Sequence, residues 1–504
     1  LKVIFDEELY DKEFVSDWCV GFEELRQRVD EYPLERVEKI TGVDKALIAE
    51  AARMYATADG ASIPWTPITD QQISSTSAIR LHSILRAVTG NLDVVGGDTL
   101  GGFNPSYIPE SELGLHEVLS PEQKAKQMGY DDHPVYTYRV AEMLKEPTEK
   151  VWGFPYADIV MGCHMANPTN VFRAMKTEQP YPIKAFIVLG NNALLSYPNQ
   201  HQILEAMMNQ ELIVAHELFM TPTAMLADYI LPGDVFTERN HVADSWSWTT
   251  RLTLSQKVVE PPEQASSTYQ FWHDLAVRFG FGNEFPWQSI EEVLDHRLAR
   301  SGRTFREFEE QGFMEMPIPE YRKYRKTGFA TPSGKVELYS SILEELGFDP
   351  LPYYREGPAT SPEYPYMVFT GVREDPFFQT GQRNVKELRD RCPVPSVFIH
   401  PEDATRDGLN DGDWISLETP HGKVSAQLSV QSSMKQGHLR VPHGWWYPEM
   451  RGQESLAGAF LSSDAVLCSD DDEFLDYEQG IPHFKGFPGK VVKAEKPEHL
   501  LVAS

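Results

Sequence analysis

Cysteine is scarce: the 504 residues hold four, Cys19, Cys163, Cys392 and Cys468, and no two stand at a CxxC spacing. By itself the chain therefore offers neither a zinc nor an iron–sulfur motif. The four read as reduced thiols of an intracellular protein, any one of which still suits a metal whose other ligands lie elsewhere. Long apolar runs are absent as well, so no membrane span is expected. Positive charge is outnumbered, with 46 Lys and Arg against 75 Asp and Glu and a formal net charge of −29. That balance argues against nonspecific nucleic-acid binding, which needs clustered cations, so an anionic ligand must be held by local groups. No Ser-His-Asp arrangement, HExxH, Walker loop or GxGxxG is found. Their absence removes most hydrolases, kinases and ordinary nicotinamide dehydrogenases. A charged leader and cleavage site are missing too, and the opening LKVIFDEELYDKEFV starts at Leu1 in mid-pattern. The expectation is a cytoplasmic protein whose N-terminal portion is not in this chain.

What is present implies two to four packed units, since the length exceeds what one core usually serves. LYDKEFVSDWCVGFEELRQRVDEY spaces Phe14, Trp18, Phe22 and Leu25 as a helical stripe. A second helix follows in VDKALIAEAARMYATA, capped through Thr41 or Asp44, then a strand-like SIPWTPIT. A long helix through SAIRLHSILRAVTGN stops at Gly90 and Asn91. The Gly- and Pro-rich stretch after it reads as an ordered loop, and residues 105–180 as loops with short helices. From 184, KAFIVLGNNALLSYPN and ELIVAHELFMTPTAMLADYILPG read as strand, glycine turn, helix, strand and a further strand ending at Pro232. That order implies a parallel sheet covered by helices. ATPSGKVELYSS looks like a hairpin turn and short strand, and EGPATSPEYP marks a boundary. Beyond it GDWISLETPHGKVSAQLSV alternates with a period of two. Ile415, Leu417 and Thr419 share one face, Trp414, Ser416 and Glu418 the other, and Val424, Ala426, Leu428 and Val430 continue after the turn.

The fold class is thus α/β, with open Rossmann-like parallel sheets and flanking helices followed by a C-terminal β-barrel. Four segments are expected: the remainder of an α/β domain with long loops (1–180), an α/β cofactor-binding domain (181–255), a connecting mixed segment (256–360) and the barrel (361–504).

Four places carry candidate chemistry. Gly190, Asn191 and Asn192 follow a strand and precede a helix, where amides hold phosphate in open α/β sheets; a tight turn with an Asn cap is the plainer alternative. Glu217 and Thr221 follow the next strand, so they share that edge, where a carboxylate suits a guanine edge and a hydroxyl a sugar; helix capping by Thr221 and Thr223 competes. Arg373 closes an apolar strand and suits an anion, or else pairs with Glu374 or Asp375. PHGWWYPE sets Trp445 and Trp446 beside His443 and Gly444, to wall a pocket, stack on a planar ring or pack a barrel corner.

Taken in order, RAVTGNLDVVGG, FIVLGNNALLSYPN, ELFMTPTAMLADYILPG, ATPSGKVELYSS, TGVRE…FFQTGQR and HPEDATRDGLNDGDWISLETPHGKV resemble the later domains of the molybdopterin oxidoreductase (dimethyl sulfoxide reductase) superfamily. LYDKEFVSDWCVGFEELRQRVDEYPLERV, MANPT, NQELIV and LPYY are similar to its acetylene-hydrating branch. The resemblance covers nearly the whole chain and implies a barrel of the double-psi type. It implies bis-molybdopterin guanine dinucleotide with tungsten or molybdenum, and a [4Fe-4S] cluster from the missing N-terminal portion. Cluster cysteines, a metal-ligating cysteine and a water-activating aspartate would lie there, so no metal ligand is assigned in this chain. On this resemblance Arg373 lines the substrate pocket, and Gly190, Asn191, Asn192, Glu217 and Thr221 surround the guanosine end. Gln379, Thr380, His443, Gly444 and Trp445 belong to stretches that approach the pterins, although Trp445 stands where that branch is expected to carry arginine. The implied reaction is hydration of acetylene to acetaldehyde in anaerobic metabolism, with a small-molecule substrate, no nucleic acid and the missing N-terminal portion as partner. Two alternatives stay open: a redox enzyme of the same superfamily (a reductase or catechol dehydroxylase) with an electron-transfer partner, and a non-catalytic cofactor-binding fragment.

Overall fold

The structure, a computed structural model, describes residues 1–100, 106–158, 160, 165–243, 251–315, 320–450 and 455–498. The first aromatic stripe is carried by two helices, Lys12–Trp18 and Phe22–Asp30, rather than one. Between them lie the two-residue strand β1 (Cys19–Val20) and Gly21, whose φ is +77°. A Cβ on Gly21 would stand 2.3 Å from that of Tyr339, so the backbones meet there and the helix breaks. Asp44, not Thr41, caps the next helix (Lys45–Thr57), accepting the Ala46 N–H at 2.7 Å. The strand expected at 62–69 does not form. Pro64 and Pro67 remove ladder donors, and the N–H groups of Thr69 and Asp70 instead close turns onto Thr66 and Pro67. The helix Ser75–Val88 ends before Gly90, which sits at φ +69°, as expected. Between 105 and 180 there is more regular structure than expected. Tyr138–Trp152 is a fifteen-residue helix, and its interior Pro147 obscures it in the sequence.

Three parallel strands follow, β2 (Ala185–Leu189), β3 (Leu212–Glu217) and β4 (Tyr229–Pro232), in the order β2-β3-β4. Helices Pro168–Thr177, Ala193–Ser196 and Gln200–Met208 cover them, and Phe172, Met175, Leu194, Leu195, Ile203, Met207 and Ile213 form the shared core. Leu189 pairs with His216, so β2 and β3 end side by side. A small antiparallel sheet joins β5 (His241–Ala243), β6 (Arg251–Ser255) and β7 (Phe313–Glu315). β8 (Val336–Glu337) lies in the ATPSGKVELYSS stretch, but it pairs in parallel with β1 instead of closing a hairpin.

The last third holds β9 (Tyr366–Val372), β10 (Ser396–Ile399), β11 (Trp414–Glu418), β12 (Lys423–Val430), β13 (His438–Pro442) and β14 (Lys485–Lys493). They close into a six-stranded barrel, β10-β12-β11-β14-β9-β13. The β10–β12 and β9–β13 pairs are parallel, the rest antiparallel. Ile415, Leu417, Val424, Ala426 and Leu428 point into the core with Val368, Val397, Ile399 and Leu439, while Val430 is only partly covered at the margin. Closure matters because each strand then has both edges paired. Cys19 and Cys468 are buried free thiols and Cys392 is half-buried; Cys163 lies outside the described residues. Among the described residues, no helix is long and apolar enough to cross a membrane.

Candidate cofactor and substrate site

At the sheet end, Gly190 follows β2 with φ +54° and donates its N–H to the His216 carbonyl at 3.0 Å. A Cβ there would meet nothing within 4 Å, so open space lies beside the turn. Asn191 is exposed, whereas Asn192 is buried. The Asn192 Oδ1 accepts the Thr223 hydroxyl at 2.7 Å, and the Thr223 Oγ1 accepts the Leu194 N–H at 3.0 Å. Thr221 caps as the plainer reading expects, taking the Ala224 N–H at 3.1 Å. The Asn192 Nδ2 finds no acceptor among the described residues. A buried donor left open at a strand end, beside free space, suits a sugar or phosphate oxygen. Glu217 ends β3, and burial raises its carboxyl above the ordinary range despite the Leu218 N–H.

The second group sits on the barrel. Arg373 is exposed just beyond β9; its guanidinium lies 5.0 Å from the Phe378 ring centroid. With the Gln379 amide oxygen facing it, Arg373 donates through Nε at 3.1 Å and Nη2 at 3.2 Å. It does not pair with Asp375, which is bound by Arg391 at 3.2 Å. Gln379 and Gln382 hold φ of +51° and +67°, an unusual pair of left-handed non-glycine residues in one loop. Each costs on the order of 1 kcal/mol and persists because the surrounding contacts hold the loop.

This loop touches the turn after β13. Gly444, at φ +56°, lies so close to Thr380 that a Cβ would stand 2.3 Å from the Thr380 Cγ2. Thr380 in turn takes the Trp446 indole N–H on its carbonyl at 2.7 Å. The adjacent tryptophans face different parts of the molecule. Trp446 joins the core of the β2-β3-β4 sheet, while Trp445 packs with Phe377 and Tyr447. Trp445 is fully buried, with the Arg383 and Arg389 guanidinium carbons 5.0 and 5.1 Å from its ring. It thus packs the barrel corner, and its indole stacks under cations.

Two residues that sequence reasoning did not single out hold this turn. Arg383, 1% exposed, donates to the Gly381 carbonyl at 3.0 Å and the His443 carbonyl at 2.9 Å, which ties loop to turn. Desolvation lowers its guanidinium to about 10, against the opposing pull of Glu374. Burial likewise lifts Glu374 to about 7, with Arg383 resisting. Asp464, 1% exposed, accepts the Gly371 N–H at 2.6 Å and the Gly444 N–H at 2.7 Å, and lies 3.1 Å from the His443 Nδ1. Burial pushes its carboxyl up, yet His443 and these N–H groups outweigh that and hold it below the usual range. Neither had a local signal, because the contacts that tie the turn, Arg383 to His443 and Asp464 to Gly371 and Gly444, join residues distant along the chain.

The two groups adjoin. The helix Ala193–Ser196 that follows Asn192 packs beside the 3-10 turn Asp464–Leu467, and the Asn199 N–H donates to the Cys468 carbonyl at 3.2 Å. Two separate cavities, of about 580 Å³ around Tyr130, Tyr138 and Asp158 and about 400 Å³ around Leu25, Val29 and Tyr353, contain none of the site residues. No group of three or more His, Cys, Asp or Glu among the described residues is arranged to hold a metal ion.

Acetylene hydratase of Syntrophotalea acetylenica is 46% identical over 98% of this chain and 69% of its own length. The chain belongs to the molybdopterin oxidoreductase family. Residues 98–278 match the family model "Molybdopterin oxidoreductase" and 367–471 the "Molydopterin dinucleotide binding domain". Within the family, formate dehydrogenase H of Escherichia coli is 27% identical over 88% of the chain and 59% of its own length. Dopamine dehydroxylase of Eggerthella lenta is 25% identical over 94% and 53%. The solved acetylene hydratase from Pelobacter acetylenicus superimposes with a TM-score of 0.93 at 45% identity, covering 98% of this chain and 69% of that one. A molybdopterin dinucleotide thus has its binding domain in the barrel and the segments that flank it, where Arg373, Gln379, Thr380, His443, Gly444 and Asp464 lie.

Proposed function

We propose that the protein carrying this chain is a hydratase that uses bis-molybdopterin guanine dinucleotide with tungsten or molybdenum to add water to acetylene, giving acetaldehyde. The observation that supports it is the match to acetylene hydratase, 46% identical over 98% of the chain, with the fold kept at a TM-score of 0.93. The chain spans 69% of that relative and 53–59% of the others named. A [4Fe-4S] cluster, the metal's protein ligand and a cytoplasmic location belong to the same reading.

The residues present fit such a group. Gly190, the Asn192 Nδ2 that lacks an acceptor among the described residues, Glu217 and Thr221 would take the guanosine end. The loop Gln379–Thr380 and the turn His443–Gly444 would take a pterin, with Trp445 behind them as packing. When bound, the metal supplies Lewis acidity and lowers the pKa of nearby water. Arg373, steadied by Gln379 and Phe378, holds a fixed positive charge at the barrel mouth, where it would orient water and a polarised substrate.

The test is anaerobic expression of the full-length protein with tungstate or molybdate, assayed for acetaldehyde from acetylene with and without an electron donor. Hydration that needs no net electron transfer, and an Arg373→Ala variant reduced roughly a hundredfold, are expected. Full activity in Arg373→Ala removes the role given to that residue. Steady redox turnover of another substrate without acetaldehyde instead favours the second reading, a redox enzyme like the formate dehydrogenase H and dopamine dehydroxylase it resembles.

A further inference from the structure

The mechanism above leaves Asp464 without a task, although its placement is costly. A carboxylate 1% exposed gives up its hydration at a large cost unless charge-assisted hydrogen bonds replace it. Here the replacement is three N–H groups: Gly371 at 2.6 Å, Gly444 at 2.7 Å, and the His443 ring, whose Nδ1 lies 3.2 and 3.1 Å from the two oxygens. Lys485 lies nearby but spends its ammonium on the Thr370 carbonyl at 2.6 Å.

This arrangement assigns a proton. An ionised carboxylate only accepts, so the ring atom facing it must carry hydrogen. His443 therefore bears a proton on Nδ1, which in the neutral ring leaves Nε2 unprotonated, and Nε2 has no hydrogen-bond partner among the described residues. A backbone role alone would need two acceptor sites, and Asp464 provides a third directed at the ring.

Building on the pterin-dinucleotide reading, we propose that Asp464 is a positioning residue. It fixes the tautomer and orientation of His443 so that Nε2 stays a hydrogen-bond acceptor for an N–H or O–H donor of the bound dinucleotide. The aspartate acts through the histidine and does not itself touch the ligand.

The test uses the full-length, cofactor-loaded protein and follows the rate at which pterin dinucleotide is lost on mild warming, by fluorescence of the oxidised pterin, beside thermal melting. Removal of such an outer partner commonly weakens binding by roughly tenfold to a hundredfold. Asp464→Asn should release cofactor about tenfold faster in the wild-type background and add almost nothing in a His443→Ala background. Equal acceleration in both backgrounds would mean a backbone role only and overturns the proposal, as does no acceleration in either. If Asp464→Asn fails to fold, His443→Asn decides. Its amide keeps a donor near the Nδ1 position and deletes Nε2, so it should melt like wild type yet lose cofactor as fast as His443→Ala. Retention equal to wild type overturns the proposal. A wild-type protein that carries no pterin dinucleotide at all refutes the underlying reading, and this one with it.

Discussion

Among the described residues, every strand of the barrel has two hydrogen-bonded neighbours, whereas in the sheet of β2, β3 and β4 only β3 does. The barrel buries Val368, Val397, Ile399, Ile415 and Leu417 completely. On β4, by contrast, Tyr229 is 64% and Ile230 40% exposed. One part holds its loops by a closed core of its own; the other owes its order to the helices and turns packed against it. Both present turns to the same proposed ligand, so the difference shows two ways to fix a turn. The barrel can carry strained loops such as 379–382, because closure leaves them little freedom to relax. The sheet offers an open, unstrained strand end with room beside it.

The largest effect should separate the two cores. Leu417→Ala is expected to cost about 2–5 kcal/mol in denaturant unfolding, and Tyr229→Ala less than about 0.5 kcal/mol. Similar losses at both sites would break the comparison. The next test concerns two glycines of nearly equal φ. Gly444→Ala, driven against Thr380, should cost about 2–3 kcal/mol, with partial recovery when Thr380→Ser is added. Gly190→Ala, which meets only open space, should cost about 1 kcal/mol, the conformational term alone, by thermal melting.

A third test uses pH. Glu374 is lifted by burial from an ordinary 4.5 to about 7. A folded value above the unfolded one contributes stability that is present below about 4.5 and lost as pH rises through about 7. Glu374→Gln should therefore flatten the stability profile across that window by on the order of 2 kcal/mol. Glu217 is raised in the same direction by its partial burial, so Glu217→Gln should flatten the profile too, but less. A larger effect at Glu217 would reverse the ranking of the two ends.

Legibility followed the range of the interactions. The barrel's β11–β12 hairpin could be read because burial on one face imposes a period of two, visible in Ile415, Leu417, Val424, Ala426 and Leu428. The β2–β3 edge could be read because apolar strands and glycine turns are local signals. The break at Gly21 could not, since its cause is Tyr339, more than three hundred residues on. Nor could Arg383 or Asp464 be found: a buried charge looks like any surface charge until the fold brings its partners. Gly190, Asn192, Glu217 and Thr221 come together at one strand edge, and Arg373 joins Gln379 while Thr380 meets Gly444 at the other group. Trp445 reads differently in three dimensions, since it is fully buried among Arg383, Arg389, Phe377 and Tyr447.

Trp445 and Trp446 are bonded neighbours with loyalties to different parts of the molecule, and that couples the histories of those parts. A change in the sheet core that enlarges the space around Leu194 shifts Trp446, and through its bond to Thr380 shifts the turn against which Gly444 rests. Substitutions at these distant positions cannot then be accepted independently; one becomes tolerable only after the other. In related sequences, the residues facing Trp446 from the sheet should covary with positions 380 and 444, as teeth on meshed gears wear together.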